Sequence, residues 1–447
     1  MEKAPGPKME KAPGPKTAPT PGPSPASGRG EPEKTPEKTA GAFSDFLLPS
    51  LVPTGEGLGV GAIPMRLLMT ADTVGGVWTY ALDLARALAP YQVSVALATM
   101  GRFPTPAQRA EAAAVPGLTL HPSAFALEWM ANPWDEVARA GDWLRGLEAD
   151  VQPDIVHLNG YAHGGLPWRA PVLMAGHSCV LSWWQAVHGE DAPPAWSRYQ
   201  EEVRRGLGAA NLVAAPTRAM LDALDAHYGP FAASQVIPNG RDFSAFAPGK
   251  KQPVIFSAGR LWDEAKNIGA LAEAAPGLPW PVCVAGEIAP PAPNSGGAGS
   301  DPGEASANPL PAPPELGAGG ASGLHFLGPL PPPEIAGWLA RAAIYALPAR
   351  YEPFGLSALE AGLSGCALVL GDIPSLREVW GEAALFIPPD DPDTLRRALC
   401  RLIQDAGLRE EMARRARTRA RTYTPERMAS GYLAAYHSLL QEKSACA

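Results

Sequence analysis

Cysteine is scarce and unpatterned in this chain. The five present, Cys179, Cys283, Cys366, Cys400 and Cys446, make no C-x-x-C pair, and their number is odd. That argues against a disulfide framework or a zinc site and favours a reducing compartment. Long apolar runs are also missing: none reaches the length of about 20 residues that spans a bilayer. The N-terminus is rich in Pro and Lys and has no apolar h-region, so it does not read as a secretory signal. Positive charge is in deficit. A net charge of −8 and a pI near 5.6 argue against affinity for nucleic acid, which wants a basic surface. These absences place the protein in the cytoplasm and leave open a peripheral contact with the inner face of a membrane.

What is present divides into low-complexity and patterned stretches. The 447 residues leave room for two or three domains, and 46% of them are apolar, enough for substantial cores. Much of the Pro and Gly is gathered in two places. MEKAPGPK occurs twice in succession at the start, and the stretch after it stays Pro-rich and charged. Residues 1–60 cannot bury enough apolar surface to offset the entropy of ordering and read as a disordered tail. A second stretch, 289–323, interrupts regular structure and reads as a flexible surface insertion.

Between these, short apolar runs alternate with amphipathic stretches. RLLMT (66–70), VSVALATM (93–100), LTLHP (118–122), DIVHLNG (154–160), APVLMAGH (170–177), LVAAPT (212–217) and QVIPNG (235–240) predict seven strands. The pattern restarts after a polar, turn-rich segment at 246–254. PVIFSAG (253–259), PVCVAGE (281–287), LHFLGPL (324–330), IYALPA (344–349), CALVLGD (366–372) and ALFIPP (384–389) predict six more. Helical periodicity at 77–89, at 134–148 and throughout the region after 392 completes the alternation. It implies parallel sheets covered on both faces. Two α/β domains follow, 65–247 and 248–422, with a terminal helical segment 423–447. Ligands of such sheets sit off the carboxyl ends of the strands, here in the cleft between the domains.

Three motifs lie at those ends. Gly75-Gly76 follows the first strand and precedes a helix, which suits a close approach to phosphate or a plain tight turn. A dinucleotide fingerprint would need G-x-G-x-x-G and an acidic residue after the second strand. Both are missing, which disfavours a dehydrogenase. Arg260, after PVIFSAG, and Lys266 are two cations near a strand end. They suit a diphosphate, or are solvated surface charges. The third motif, Arg350-Tyr351-Glu352-Pro353-Phe354-Gly355-Leu356-Ser357-Ala358-Leu359-Glu360, places Glu352 on a loop and predicts a helix starting near Ser357. The two carboxylates can grip separate parts of one extended ligand. Ser357 to Glu360 also fits a capping box, in which Glu360 only closes the helix.

In this order, each after a strand, the second and third motifs resemble family 4 of the retaining glycosyltransferases. Gly75-Gly76, Ala175-Gly176-His177-Ser178, Ala215-Pro216-Thr217, Val236-Ile237-Pro238-Asn239-Gly240 and Gly371-Asp372-Ile373-Pro374 with Glu378 extend the likeness over roughly 65–442, less the insertion. The resemblance implies the GT-B fold, two Rossmann-like domains facing across a cleft, with the C-terminal helix packing back on the N-terminal domain. It implies transfer of a sugar from a nucleoside-diphosphate sugar, with retention and without a metal or other cofactor. The acceptor, a saccharide, lipid or small molecule, is not readable. By the same resemblance Arg260 and Lys266 bind the donor diphosphate and Glu360 the ribose hydroxyls. Glu352 meets the transferred sugar, and the backbone of Phe354, Gly355 and Leu356 steadies sugar and phosphate. Gly75 and Gly76 close from the opposite domain, and His177 sits near sugar and acceptor.

Other features carry two readings. Trp78, Trp183 and Trp184 stack on a sugar or pack between elements. Asn159, Tyr161 and His163 point toward the cleft, where acceptor contact is open. Arg409, Arg414, Arg415, Arg417, Arg419 and Arg421 make a basic helix face for anionic lipid or for water. Asp391-Pro392-Asp393 is the D-x-D of the chain and reads as a helix cap rather than a metal site. A nucleotide-sugar epimerase, or a non-catalytic nucleotide-sugar-binding protein of the same fold, remains the alternative. A phosphorylase would need a pyridoxal-phosphate lysine site, of which there is no signature.

Overall fold

The computed structural model describes residues 64–287 and 323–446, so the tail at 1–60 and nearly all of the insertion at 289–323 lie outside the described residues. Seven strands build the first sheet: β1 Met65–Asp72, β2 Val93–Met100, β3 Leu118–Pro122, β4 Ile155–Leu158, β5 Val172–Ala175, β6 Leu212–Ala215 and β7 Ser234–Val236. Six build the second: β8 Gln252–Ala258, β9 Val282–Ala285, β10 Leu324–Gly328, β11 Ala342–Leu347, β12 Ala367–Gly371 and β13 Leu385–Ile387. The orders are β3-β2-β1-β4-β5-β6-β7 and β10-β9-β8-β11-β12-β13. Every pairing is parallel; β1, for example, runs in register with β2 from Met65↔Val93 to Asp72↔Met100. Each sheet thus grows outward in both directions from its first strand, the doubly wound arrangement in which ligand crevices open at the strands' carboxyl ends.

The reason these segments are strands is visible in their burial. Leu67, Leu68 and Met69 of β1 are all fully buried, though neighbours along a strand face opposite sides. Both faces are covered, so the strand is apolar throughout rather than alternating. In the first half the covering helices are α1 Gly76–Leu88, α2 Pro106–Ala113, α3 Trp134–Val151, α4 Val180–His188, α5 Ser197–Ala209 and α6 Arg218–Tyr228. In the second they are α7 Ile268–Ala274, α8 Pro332–Arg341, α9 Leu356–Leu363, α10 Pro374–Trp380, α11 Pro392–Gln404 and α12 Ala406–Ala420. None of the described helices is long and apolar enough to cross a membrane.

The last helix, α13 Pro425–Cys446, belongs to the first half in space. Met428, Ala429, Tyr432, Ala435, Tyr436 and Leu439 are buried in one cluster with β1 and α1. The two tyrosines close over β4: the Tyr436 hydroxyl lies 2.6 Å from Nδ1 of buried His157, whose Nε2 is 3.3 Å from the Tyr80 hydroxyl. The chain therefore crosses between the halves twice, and the crossings touch. The Arg241 N–H donates to the Tyr423 carbonyl at 3.1 Å. A Cβ on Gly240 would lie 2.2 Å from the Thr424 carbonyl oxygen, so no residue with a side chain fits that contact.

The arginines of α12 are largely committed inside the protein. Arg409 donates to the carbonyls of Leu402 and Ile403, Arg417 to Leu363, and Arg419 to Val379 and Glu378. Arg414 and Arg415 pair with Glu411. Arg409, Arg417 and Arg419 satisfy the last carbonyls of α11, α9 and α10, while Arg414, Arg415 and Arg421 stay exposed on the outer face. Asp391 is the cap of α11: its Oδ1 accepts from the Thr394 N–H at 2.8 Å.

Candidate functional site

The glycine loop of the first half is held from below. Asp72, the last residue of β1, accepts from the N–H groups of Val74 (2.9 Å) and Gly75 (2.8 Å) through one oxygen, Oδ1. Burial raises its carboxyl above the ordinary range, against those two hydrogen bonds and the pull of Arg260. Helix α1 starts at once behind the loop, with no side chain capping its N-terminus. Its first N–H groups are therefore unspent and carry the positive end of the helix dipole.

His177 stands two residues past β5. Its Nε2 lies 2.8 Å from Oδ1 of Asn159, whose Nδ2 donates to the Thr70 carbonyl at 2.6 Å. The second bond fixes the amide, so Asn159 Oδ1 accepts and His177 carries its proton on Nε2. Nδ1 keeps the lone pair. Burial lowers the imidazole to about 4, so it is neutral at pH 7. The Tyr80 ring packs edge-on against it at 4.4 Å between centroids.

The second half supplies the charges. The loop after β8 carries Arg260, which donates through Nη2 to Asp263 Oδ2 at 2.8 Å. A short 3₁₀ turn, Glu264–Lys266, then brings Lys266 inward to Glu352 Oε2 at 2.6 Å. Burial pushes the Asp263 carboxyl up, but the Arg260 and Lys266 charges and the donors Trp183 and Ala265 outweigh it and hold it low. Glu352 also accepts from the Gly355 N–H at 3.0 Å. Gly355 has φ 88°, the left-handed conformation that glycine adopts without strain, and it turns the chain into α9. Helix α9 starts at Leu356, one residue before the predicted Ser357, with Gly355 as its cap.

The capping box is not formed. Gly355 rather than Ser357 is the cap, and Glu360 accepts instead from Arg241 Nε at 2.8 Å, a charged donor that outcompetes a backbone N–H for a largely buried carboxylate. Burial raises the Glu360 carboxyl and Arg241 pulls it back down.

The halves meet around these groups. Arg260 Nη1 lies 3.6 Å from where a Cβ on Gly75 would stand, and Leu356 Cδ1 lies 3.4 Å from the equivalent point on Gly76. Trp183 Nε1 donates across the cleft to Asp263 Oδ1 (2.9 Å), the Tyr351 hydroxyl accepts from Cys179 N–H (3.1 Å) and Thr217 donates to the Pro353 carbonyl (3.0 Å). Glu378 accepts from Arg218 N–H and Ala219 N–H, closing the first turn of α6 from the opposite half. Phe354 is buried and packs edge-on against Tyr423.

One expectation needs correcting. Tyr161 and His163 do not face the cleft. Beyond β4 the chain dips into a 3₁₀ turn, Ala162–Gly165, beneath α5, and both side chains are buried. The Tyr161 hydroxyl donates to Ser178 and His163 Nε2 pairs with the Val137 carbonyl. Trp78 is a core residue whose indole N–H reaches Glu111. Asp72, Arg241 and Asp263 escaped the sequence reading. Only Asp72 had a local signal, an Asp three residues ahead of the first glycine that can accept N–H groups of its own turn.

Residues 252–405 match the family model for glycosyl transferases group 1, and residues 74–245 that for glycosyltransferase family 4. The chain belongs to this family of glycosyltransferases. Over 403 residues this family member is 26% identical to the D-inositol 3-phosphate glycosyltransferase of Paenarthrobacter aurescens, 82% of this chain and 93% of that one. Shorter stretches are similar to the lipopolysaccharide core biosynthesis mannosyltransferase LpcC of Rhizobium leguminosarum bv. viciae (36% over 110 residues) and to O-antigen chain mannosyltransferase B of Escherichia coli (33% over 100 residues). Those matches take in 24% and 22% of this chain and span 31% and 26% of the relatives' own lengths.

Among solved structures, sucrose-phosphate synthase from Thermosynechococcus elongatus superposes with a TM-score of 0.65 at 17% identity, over 85% of this chain and all of that one. Anabaena HepE in complex with UDP and glucose gives 0.58 at 16%, over 84% and 100%. At these identities the likeness concerns the fold, two Rossmann-like domains of the GT-B kind.

Proposed function

We propose that this protein is a retaining glycosyltransferase that takes a sugar from a nucleoside-diphosphate sugar without help from a metal ion. One observation carries the reading: Arg260 from the second half and the uncapped N-terminus of α1 from the first meet at the glycine loop, and Lys266, on the same loop as Arg260, is paired with Glu352. When the anomeric C–O bond to phosphate breaks, negative charge builds on the departing diphosphate. Cations and N–H groups already aimed there stabilise that charge with little reorganisation, the task a divalent ion performs elsewhere.

In this reading the pairs Lys266–Glu352 and Arg260–Asp263 exchange partners when the donor enters. Arg260 and Lys266 turn to the diphosphate, and Glu352, released, accepts from hydroxyls of the transferred sugar. Glu360 takes the ribose hydroxyls. Neutral His177 offers the Nδ1 lone pair to a hydroxyl of sugar or acceptor. The acceptor oxygen attacks from the face the phosphate leaves, a C–O bond forms as the other breaks, and the acceptor's proton passes to the leaving phosphate oxygen. Its configuration at the anomeric carbon is thereby kept.

The test is thermal unfolding with UDP, GDP, ADP and TDP, for wild type and Arg260→Ala. A ligand at about 100 times its Kd stabilises by roughly 2.7 kcal/mol. One nucleotide is expected to raise the Tm of the wild type and not of the variant. Turnover of the matching nucleotide sugars, unchanged by EDTA, then gives a product whose anomeric configuration NMR reads directly. No response to any of the four nucleotides overturns the transferase reading in favour of a degenerate scaffold.

A further inference from the structure

Arg241 lies in the first crossing between the halves, beside its contact with the second. Its side chain is mostly buried and bridges two carboxylates: Nε donates to Glu360 Oε1 at 2.8 Å and Nη1 to Asp83 Oδ2 at 2.7 Å. The guanidinium also lies over the Phe246 ring, 5.0 Å from its centroid. Asp83 is itself buried, and its other oxygen takes Arg86 Nη1 at 3.0 Å. Asp83 and Arg86 are on α1, the helix that begins at the glycine loop. One side chain thus links three pieces: the first crossing between the halves, the helix behind Gly75 and Gly76, and the carboxylate in α9.

A buried bidentate arrangement of this kind demands a planar fork with several donors; a point charge cannot reach both partners in line. Glu360 gains an orientation from it. With Oε1 taken by the guanidinium, Oε2 is the oxygen left to accept from a ligand. The anion is also held in a site where burial alone would favour its neutral form, and a protonated carboxyl offers one acceptor fewer.

We propose that Arg241 is the positioning residue of the ribose subsite: it presents Glu360 Oε2 to the nucleotide's ribose hydroxyls and ties that carboxylate, through Asp83, to the helix of the glycine loop. The inference rests on Glu360 being the ribose ligand, as in the function proposed above. Arg241 itself touches neither donor nor acceptor.

The experiment compares two probes on the full-length protein by calorimetry: the nucleoside diphosphate that stabilises the wild type, and its 2′,3′-dideoxy counterpart. A hydrogen bond to a charged group makes the wild type favour the hydroxylated form by roughly 10–100-fold. Arg241→Met is expected to weaken the hydroxylated nucleotide about tenfold and the dideoxy form less than twofold. Arg241→Lys and Asp83→Asn, which each leave Glu360 one partner, should lose about threefold of the preference. A merely structural role would weaken both probes alike, and that result overturns the proposal, as does an undiminished preference in Arg241→Met. Should that variant fail to fold, Asp83→Asn with full preference overturns it equally. A wild type that does not distinguish the probes, or a Glu360→Gln variant that matches it, removes the ribose assignment of Glu360 itself. Loss of preference in Glu360→Gln with none in the Arg241 variants removes the Arg241 inference alone.

Discussion

Both sheets follow the same strand order from their own first strand, yet the loops at their carboxyl edges hold opposite kinds of chemistry. The second half presents ions, and each is already paired: Lys266 with Glu352, Arg260 with Asp263, Glu360 with Arg241. The first half presents neutral groups: a glycine loop, an imidazole held to about 4 by burial, and an amide that orients it. Paired ions can be placed in a cleft without the desolvation cost of lone ones, and they exchange partners when a charged ligand arrives. Neutral groups need the opposite support, a packed shell that denies them a proton. The Tyr80 ring packs against His177, and behind it His157 sits among the Tyr80, Tyr432 and Tyr436 rings.

The sharpest way to break the comparison is to remove an ion from the charged half. Lys266→Ala leaves the largely buried Glu352 without its counter-charge and, on the function proposed above, takes away a donor to the leaving group. Its kcat should fall about 10²–10³-fold, read as nucleotide release from the donor sugar. An equal fall for Gln in place of Glu352 would show that the pair, rather than the cation, is what matters.

Acid tests the neutral half. Burial, with His177 adding to it, depresses His157 to about 3, whereas an unfolded imidazole protonates near 6.5. Between those values the unfolded state binds the extra proton, so stability is full above about 6.5 and declines as the pH falls through the window. His157→Gln lacks this dependence. The stability gap between wild type and variant, measured in urea, should narrow by about 3 kcal/mol from pH 7 to pH 4. A constant gap would mean that the imidazole accepts its proton in the folded core.

A smaller effect is expected from Asn159→Ala, which frees the His177 tautomer. One lost hydrogen bond predicts a drop of roughly tenfold or less in kcat, with nucleotide affinity unchanged because the charged half is untouched. The smallest belongs to Glu378→Ala. It leaves the Arg218 and Ala219 N–H groups of α6 without their acceptor while Thr217 still caps Met220, and urea unfolding should report a loss of about 1 kcal/mol.

The fold was legible because it is local. Most of the thirteen described strands are short apolar runs ended by turn residues, and the restart of the pattern after 246–254 separates the two series. Arg260, Lys266, Glu352 and Glu360 were legible as candidates for the same reason: each lies on the loop that follows a strand or at the start of the helix or turn behind it. Their partners were not. Arg241 and Glu360 are 119 positions apart, and Trp183 and Asp263 are 80 apart. No periodicity joins such pairs, since each is made by one domain docking on the other. Tyr161 and His163 were misplaced because a strand end does not say whether the following chain rises into the cleft or dips beneath a helix. The turn that buries them is set by its fit under α5, a contact also made far along the chain.

Because α13 completes the core of the first half, that half is the first to leave the ribosome and the last to be finished. Some 190 residues separate Val236, where its sheet ends, from Pro425, where its final helix begins. At 5–20 residues per second the nascent sheet waits ~10–40 s with His157 and Tyr80 uncovered. During synthesis the second half must fold against a neighbour that still lacks one wall.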